Sequence, residues 1–404
     1  MNTIYLDYNA TTPLDPAVRD AMLPFLDGIF GNPSSVHHVG RRARSLLDEA
    51  RERVAQVLGS KPSEIVFTSG GTESSNMAIF GAARLLKSKG RHIITSVVEH
   101  HAVLHPVEYL AKKEGFEVTY LPVSREGMVS PDDLKKAIRP DTILVSVMAA
   151  NNEIGTIQPV AELGAICRER GVLFHTDAVQ WFGKEPFENI HQFNADLVSI
   201  CAHKFHGPKG AGALFIKSPL HPDPIIFGGA HENERRAGTE NVAGIIGFAE
   251  ALERFVKQPV FDSKKLSPLS ERLVKLVESM DRVQLVSPRV VRCPPFRVPE
   301  AADSLKAGHQ TSTRLANTVS FLVEGSDSIA LLAGLDLEGI CASSGSACSS
   351  GSLEPSHVIT ALGVNPKLAN SLVRFSLGRE TTEEEIGFVE RRLPAVIKRA
   401  QRFQ

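Results

Sequence analysis

Three short stretches of the sequence place a reactive or ligand-binding side chain directly after a run of apolar residues. Lys204 lies in CAHKFHGPKG, before a glycine-rich turn, and Asp177 lies in HTDAVQ, three residues before Gln180. A partly desolvated lysine amine can form a Schiff base with an aldehyde, and a carboxylate can hold a proton on a ring nitrogen. In FTSGGTE, Gly71 and Thr72 open a predicted helix whose backbone amides can bind phosphate. These stretches could together hold a phosphorylated ring aldehyde.

Each stretch also has an ordinary structural explanation when it is taken alone. Two glycines and a threonine suit a tight turn with a helix cap, an aspartate after a strand often caps a helix, and most lysines are solvated. The combination favours a binding site, because a phosphate cradle, a carboxylate and a lysine on successive strand ends are the requirements of pyridoxal phosphate. The sequence therefore predicts a site for this cofactor.

A fourth reactive group is Cys348, in the stretch SSGSACSSGS that begins at Ser343. Small polar residues of this kind form neither an apolar helix face nor a strand face, so the stretch is predicted to be a flexible loop. A buried cysteine behaves as a small hydrophobic residue, whereas exposure and a lowered pKa make a thiol nucleophilic. The stretch therefore predicts a nucleophile carried on a loop.

The elements that must position these residues alternate in type between about residue 40 and residue 220. Strands are predicted in EIVFTS, HIITSVV, TILVSVMA, VLFHTDA, DLVSICA and GALFI, and helices in RRARSLLDEARERVAQVL, ESSNMAIFGAARLLKSKG, PDDLKKAI and VAELGAICRERG. This alternation is typical of the α/β class, with a mainly parallel sheet flanked by helices. Ligands of such sheets gather at the carboxyl ends of the strands, where the polar clusters lie.

The pattern changes after Gly244, and a second, smaller α+β domain is predicted. We expect a large cofactor-binding domain over residues 15–260 and a small domain formed by residues 1–14 and 261–404, which carries the loop of Cys348. The proline-rich and arginine-rich stretch 288–313 is predicted to be a surface insertion. A closing helix with a threonine cap is predicted in TTEEEIGFVERRLPAVIKRAQ.

The composition points to small-molecule chemistry in a reducing compartment. The 404 residues suffice for two domains, and 45 basic against 46 acidic residues give no reason to expect a nucleic-acid or membrane partner. The 5 cysteines are irregularly spaced, which argues against a disulfide framework. The sequence has no membrane-length apolar run and no leader pattern, so a cytoplasmic location is expected. No metal is expected, because neither a CxxC pair nor an HExxH motif occurs.

Taken in order, the motifs resemble those of the cysteine desulfurases of the NifS/IscS type, which are fold-type I pyridoxal-phosphate enzymes of the class V aminotransferase family. The matching stretches run from residue 5 to about residue 385 and are LDYNATTP, GNPSS, FTSGGTESSN, EHHAV, NNEIG, HTDAVQ, HKFHGPKG, RRAGTEN, SSGSACSSGSLEPSHV and RFSLGR. The resemblance implies the fold-type I transferase fold, pyridoxal 5'-phosphate as cofactor and removal of sulfur from L-cysteine.

The resemblance also assigns roles in the reaction to individual residues. Lys204 would carry the cofactor as a Schiff base and later act as a base. His100 would stack on the pyridine ring and manage protons, Asp177 would pair with the ring nitrogen, and Gln180 would pair with the ring hydroxyl. Cys348 would attack the substrate sulfur, which leaves alanine and a persulfide on Cys348.

Further residues are implied to hold the phosphate and the substrate. The phosphate contacts are Gly71, Thr72, His203 and, from the second subunit of a homodimer, Thr239. Cys201 stands where the family usually has serine or threonine, and a thiol is a poor donor to phosphate, so its contact is a departure from the pattern. Asn152 and Arg374 would hold the substrate carboxylate, for which arginine offers a planar fork. Asn152 would also contact the cofactor.

Other functions remain compatible with the sequence alone. A selenocysteine lyase or another β-elimination enzyme would not need Cys348 in the same way, and a class V aminotransferase needs no cysteine in such a loop. A non-catalytic scaffold of a sulfur relay is disfavoured by the set of reactive residues. The expected partners are L-cysteine, a second copy of the chain and a sulfur-acceptor protein such as an iron-sulfur scaffold. The acceptor could equally belong to a thiolation system.

Overall fold

The computed structural model describes residues 3–289, 313–345 and 355–401. The strands are β1 Ile4–Tyr5, β2 Ile65–Thr68, β3 His92–Ser96, β4 Glu117–Leu121, β5 Thr142–Ser146, β6 Leu173–Asp177, β7 Leu197–Cys201, β8 Gly212–Ile216, β9 Val283–Leu285, β10 Thr318–Val323, β11 Ile340–Cys341 and β12 Val373–Ser376. The helices are α1 Pro16–Met22, α2 His38–Leu58, α3 Gly71–Leu86, α4 His101–Glu114, α5 Pro131–Ala137, α6 Val160–Glu169, α7 Val242–Phe255, α8 Ser263–Ser279, α9 Ser328–Leu337, α10 His357–Ala361, α11 Pro366–Ala369 and α12 Glu383–Ala400.

Seven strands form the large sheet, in the order β2-β8-β7-β6-β5-β3-β4. Its strands from β4 to β7 are parallel, whereas β8 is antiparallel to both of its neighbours. The central strands are continuous apolar runs because helices cover both faces of the sheet. The sequence therefore predicted six of the seven strands. It missed the edge strand β4, whose sequence EVTYL has a single fully buried residue and is only weakly apolar.

Two apolar layers enclose this sheet. One layer lies between the sheet and α2, α6 and α7, and its core includes Leu47, Val54, Leu163 and Phe248. The opposite layer lies under α3 and α4 and includes Met77, Ile79, Val103 and Val107. This arrangement confirms the predicted α/β class with a mainly parallel sheet flanked by helices, and it leaves the carboxyl ends of the strands free to carry a site.

A second, smaller group of elements packs around two short sheets. β10 is paired with β12 and β9 in an antiparallel sheet, and β1 pairs with β11 in parallel. Helices α8, α9 and α12 cover an apolar cluster of their own. The predicted threonine cap is Thr382, whose Oγ1 accepts a hydrogen bond from Glu385 N at 3.2 Å. This distribution supports the expected division at residues 14/15 and 260/261, which stays a prediction.

The first residues of the chain connect the two groups of elements. Leu6 N donates to Cys341 O at 2.9 Å and Tyr8 N donates to Ser376 O at 3.1 Å, which holds the segment against the small sheets. A few residues later, Thr12 N donates to His203 O at 3.0 Å, beside the end of β7. Residues 4–12 therefore run from the small sheets to the strand ends of the large sheet.

Candidate active site

Lys204 lies in a single helical turn directly after β7, at the carboxyl edge of the large sheet. Its Nζ donates to the backbone oxygens of Asn9 and Ala10, both at 2.8 Å. Burial lowers the pKa of this amine from 10.5 to about 8, with Arg374 adding to the effect and Asp177 opposing it. Roughly a tenth of the amine is therefore neutral at pH 7. A neutral amine is the form that can attack an aldehyde.

Asp177 ends the neighbouring strand β6 and is 6 % exposed. Its Oδ1 accepts a hydrogen bond from Val179 N at 3.0 Å. Burial raises the pKa of this carboxyl from 3.8 to about 6, while the nearby Lys204 amine lowers it. The group is therefore an anion at neutral pH and can hold a proton on a ring nitrogen.

Gln180, three residues further along, is 5 % exposed and shares its main partner with Lys204. Its Nε2 donates to Asn9 O at 2.9 Å, the same oxygen that accepts from Lys204. The Asn9 side chain is held in turn by Asn317, whose Nδ2 donates to Asn9 Oδ1 at 3.0 Å. Asn9 therefore joins the candidate cofactor residues to each other.

The start of α3 offers backbone donors beside Cys201. The residue before the helix, Gly70, has a φ of 151° and supplies no side-chain cap, so the amides of the first turn are open to a ligand. A side chain at Gly71 would place its Cβ 2.6 Å from Val179 Cγ2, so this turn requires glycine. Cys201 Sγ donates to Ala211 O at 4.0 Å, and burial raises the pKa of the thiol while the nearby amides of Gly71 and His203 oppose the rise. Cys201 is therefore at the predicted location as a neutral thiol.

Two further residues predicted to contact phosphate flank this turn. Thr72 is exposed in the first turn of α3. His203 is half-buried, its Nδ1 lies 3.0 Å from Thr11 Oγ1, and burial together with the Lys204 charge lowers its pKa to about 3. His203 is therefore a neutral hydrogen-bonding group rather than a cation.

His100 caps the N-terminus of α4, where its Nδ1 accepts a hydrogen bond from Ala102 N at 3.0 Å. Because Nδ1 uses its lone pair in this bond, the proton of the neutral ring lies on Nε2. Burial lowers the pKa of His100 to about 4, and the charge of Lys204 adds to this effect. At neutral pH His100 is thus an uncharged donor next to Lys204.

Arg374 is 1 % exposed on β12 and lies against Asn152. Its Nη1 donates to Asn152 O at 3.0 Å and to Gly345 O at 2.5 Å, and its Nη2 forms an ion pair with Asp7 Oδ1 at 2.7 Å. Its Nε is buried and has no partner among residues 3–289, 313–345 and 355–401. A buried donor without a partner is costly, which fits a place for a carboxylate.

Residues on both sides of the segment that contains Cys348 lie beside the carboxylate of Glu153. Glu153 Oε2 accepts a hydrogen bond from Ser356 Oγ at 2.5 Å, and a Cβ on Gly345 would lie 2.8 Å from the same oxygen. Gly345 has a φ of 80°, which is a second reason for glycine at this position. Cys348 itself lies outside the described residues, as does most of the predicted insertion, residues 290–312.

Thr239 is exposed in the loop between β8 and α7. The loop is attached to the site, because Arg236 Nε donates to Glu73 Oε1 at 2.7 Å in the first turn of α3. The predicted contact of Thr239 with the phosphate of a second subunit stays a prediction.

Glu99, directly before His100, is a buried acid that the sequence did not single out. Its Oε1 accepts from Ser96 Oγ at 2.7 Å and from Met148 N at 2.9 Å, while Oε2 has no partner in the described part of the chain. Burial raises the pKa of this carboxyl from 4.5 to about 8, and the charge of Asp177 adds to the effect. Glu99 is therefore held largely as a neutral acid at pH 7.

The variant Glu99→Gln is expected to remove a pH dependence of stability. A carboxyl whose pKa is raised in the folded state binds a proton more tightly there than in the unfolded state. The protonated carboxyl therefore adds to the free energy of unfolding; this contribution is complete below about pH 4.5 and is lost as the pH rises through about 8. The slope reaches at most about 1.4 kcal/mol per pH unit. In urea unfolding of the apoprotein, the variant should gain free energy of unfolding relative to the unsubstituted chain as the pH rises.

The exposed Glu108→Gln substitution is the matched control for this measurement. Glu108 lies within α4, nine residues after Glu99, and forms an exposed ion pair with Lys112 at 3.4 Å. The free energy of unfolding of Glu108→Gln should change with pH in parallel with that of the unsubstituted chain. The same parallel behaviour in Glu99→Gln would contradict the raised pKa.

Sequence reasoning therefore proposed the main reactive groups but assigned no role to the residues that contact them. Asn9, Lys184, Glu99 and Glu153 had no assigned role, although the first, third and fourth lie in motifs quoted above. The sequence feature that could have pointed to them is a polar residue inside an apolar or motif-rich stretch, because such a residue is buried only when it has hydrogen-bond partners. Among the described residues no group of three potential ligands could hold a metal ion, and no helix there is long and apolar enough to span a bilayer.

The lysine, the carboxylate, the open helix start and the buried arginine donor fit the aldehyde, ring nitrogen, phosphate and substrate carboxylate of a pyridoxal-phosphate site. Comparisons with known proteins agree with this fit. The family model "Aminotransferase class-V" matches residues 4–298 and 300–389. The cysteine desulfurase IscS of Dictyoglomus turgidum is 50% identical over 397 residues, which covers 98% of this chain and 95% of that protein.

Two solved structures give the same result at the level of the fold. A NifS-like protein has a TM-score of 0.85 at 36% identity and covers 98% of this chain and 99% of its own. A structure of SspA in complex with cysteine has a TM-score of 0.77 at 33% identity and covers 94% of this chain and 100% of its own. These similarities confirm the predicted relationship and the fold-type I architecture.

Proposed function

Because this chain belongs to the aminotransferase class-V family, we propose that it is a pyridoxal-phosphate-dependent cysteine desulfurase that acts on L-cysteine. The observation that carries the proposal is the meeting of Lys204, Asp177 and Arg374 at one edge of the large sheet, where a cofactor lysine, a ring-nitrogen partner and a carboxylate binder are all needed. The names of the relatives support the same activity. They favour it over selenocysteine lysis and over a non-catalytic scaffold.

The residues that would hold pyridoxal phosphate follow from the geometry of the site. Lys204 would hold it covalently through Nζ, and Asp177 would hold a proton on the ring nitrogen. The first turn of α3 at Gly71, together with His203, would bind the phosphate, for which neutral donors and a helix N-terminus are suited. When bound, pyridoxal phosphate supplies an electron sink that makes the substrate α-carbon acidic.

The protein's own groups then orient the substrate and move its protons. Arg374 would bind the carboxylate of cysteine through Nε, which is a free donor in the described part of the chain. Lys204, with its pKa of about 8, can accept a proton from the α-carbon near neutral pH. His100 is uncharged with its proton on Nε2, so it can donate a hydrogen bond to a sulfur atom nearby.

The sulfur step is proposed to occur at Cys348. The Cys348 sulfur would attack the substrate sulfur, so an S–S bond forms while the Cβ–S bond of the substrate breaks. The electron pair of the broken bond goes to the substrate carbon, which takes up a proton. The balanced overall reaction is L-cysteine plus the Cys348 thiol giving L-alanine plus the Cys348 persulfide, with no external oxidant or reductant.

A homodimer and a sulfur-acceptor protein complete the proposal. Three of the most exposed large apolar side chains are Phe30 at 78 %, Val36 at 86 % and Phe227 at 80 %. Exposed apolar side chains of this size support a subunit interface, and Phe227 lies in the same loop as Thr239. The acceptor is proposed to be a protein of iron-sulfur cluster assembly or of thiolation, and the location is proposed to be the cytoplasm.

The function is tested by incubating the protein, loaded with pyridoxal phosphate, with L-cysteine. Alanine should be released, and mass spectrometry of the protein before reduction should find one added sulfur atom on the peptide that contains Cys348. Pyruvate and ammonia in place of alanine would show a β-elimination enzyme. Alanine with the added sulfur on another cysteine would contradict the assignment of the sulfur carrier.

A further inference from the structure

A second lysine is buried beside the candidate cofactor lysine, and none of the roles described so far uses it. Lys184 is 3 % exposed. Its Nζ donates to Asn9 Oδ1 at 2.6 Å and to Gln180 Oε1, and it lies over the ring of Phe261, 5.2 Å from the centroid. Both hydrogen-bond partners are neutral amide oxygens. Asn9 therefore connects the two lysines, because its side-chain oxygen accepts from Lys184 and its backbone oxygen accepts from Lys204.

A lysine at this position is expensive for the fold. Burial lowers the pKa of Lys184, and the positive charges of Lys204 and Arg374 lower it further. Water is excluded, so a charged amine there loses hydration that two amide oxygens replace only in part. A methionine would fill the same volume without this cost. A role in packing alone therefore does not explain the amine.

The amine has a specific effect on Gln180, because it decides which way the side-chain amide points. The Lys184 amine donates to Oε1, and the backbone oxygen of Asn9, which can only accept, receives a hydrogen bond from Nε2 at 2.9 Å. The Lys184 amine supplies a donor to Oε1 and Asn9 O can only accept, so both contacts are made by the same orientation of the amide. One hydrogen of Nε2 goes to Asn9, and the other is left to be donated to a ligand.

We propose that Lys184 is a positioning residue that fixes the Gln180 amide, so that Gln180 offers a hydrogen-bond donor to the ring oxygen of the bound cofactor. The inference rests on the proposed function, since the contact of Gln180 with that oxygen belongs to it. Lys184 acts through Gln180 and does not touch the reacting atoms.

The expected consequence is measurable without any turnover. With the cofactor held by Lys204, a negatively charged ring oxygen would attract the proton on the Lys204 nitrogen. A hydrogen bond from Gln180 to the same oxygen would weaken that attraction, so it would lower the pKa of that proton. Removing the donor, or the residue that directs it, should raise this pKa.

The test is an absorbance titration of the cofactor-loaded enzyme in the absence of cysteine. In Lys184→Met, the midpoint of the pH-dependent cofactor band should rise by about 1 pH unit or more, since a hydrogen bond to a charged group is lost. Gln180→Glu should produce a similar rise, because a carboxylate keeps the contact with Lys184 but cannot donate. An unchanged midpoint in either variant would overturn the proposal, and Gln180→Glu decides it if Lys184→Met fails to fold.

A double-mutant cycle separates positioning from direct electrostatics. In a Gln180→Ala background, Lys184→Met should leave the midpoint where Gln180→Ala alone puts it, because no amide remains to be positioned. An equal shift with and without Gln180 would mean that Lys184 acts by its own charge, which would refute the proposal. The half-exposed Lys217→Met is the matched control. Because no cysteine is added, the result of the titration does not depend on whether the enzyme forms alanine.

Discussion

Lys204→Ala is expected to lower alanine release by at least about 10³-fold, because the chain loses both the covalent holder of the cofactor and the base that moves the α-proton. Alanine release at saturating L-cysteine measures the loss. The absorbance band of the lysine-bound cofactor should disappear from the same preparation. Added pyridoxal phosphate should not restore the rate, since the missing group is the amine.

Borohydride trapping gives this prediction its control. Reduction of the unsubstituted enzyme should fix the cofactor to the peptide that contains Lys204, and Lys217→Ala, which changes a half-exposed residue directly after β8, should behave like the unsubstituted enzyme. Lys184 is the nearest alternative, because it is a buried amine that shares Asn9 with Lys204. Label on Lys184 would show that the two lysines had been assigned the wrong way round.

Cys348→Ser is expected to abolish the persulfide and to reduce alanine release by at least about 100-fold, because a hydroxyl oxygen cannot form the S–S bond that removes sulfur from the substrate. Binding of the cofactor should be unchanged, since the groups that would hold it lie on the large sheet. Persulfide mass spectrometry and alanine release are measured on the same sample. Full release of sulfur by the variant would favour a β-elimination mechanism.

Cys341→Ser provides the matched control for the thiol. Of the free cysteines in the described part of the chain, Cys167 and Cys201 are buried, whereas Cys341 is only partly buried on β11. Burial raises the pKa of Cys341, with Asp336 and Asp7 adding to the effect, so its thiol is a poor nucleophile at neutral pH. Its replacement should leave persulfide formation at Cys348 intact. Loss of the persulfide in Cys341→Ser would point to a relay through both thiols.

The strand ends could be predicted from the sequence because buried parallel strands are continuous apolar runs and their polar continuations are conspicuous. This is why Asp177 and Lys204 were found together with their strands. β4 was missed because an edge strand needs no continuous apolar run. The residue roles beyond the lysine, carboxylate and thiol came from the family resemblance, since spacing alone could not distinguish Arg374 from a surface arginine.

The partners of those residues could not be predicted, because they come from distant parts of the chain. Asn9 contacts Lys204, Gln180 and Lys184 across more than 170 residues. Nothing in LDYNATTP indicates that its asparagine will accept hydrogen bonds from two lysine amines. Likewise, the buried position of Lys184 follows from packing against Phe261 and the first segment of the chain, whereas its sequence context, GKEPF, is that of a surface loop.

The route of residues 4–12 has a consequence for the order in which the protein is made. These residues are synthesised more than 300 residues before their partners Cys341 and Ser376. The large sheet can form before the partners of this segment are made, so the oxygens that receive the Lys204 amine are in place only after residue 376 has been synthesised. A nascent chain halted before residue 340 should therefore contain the cofactor lysine but lack its finished surroundings.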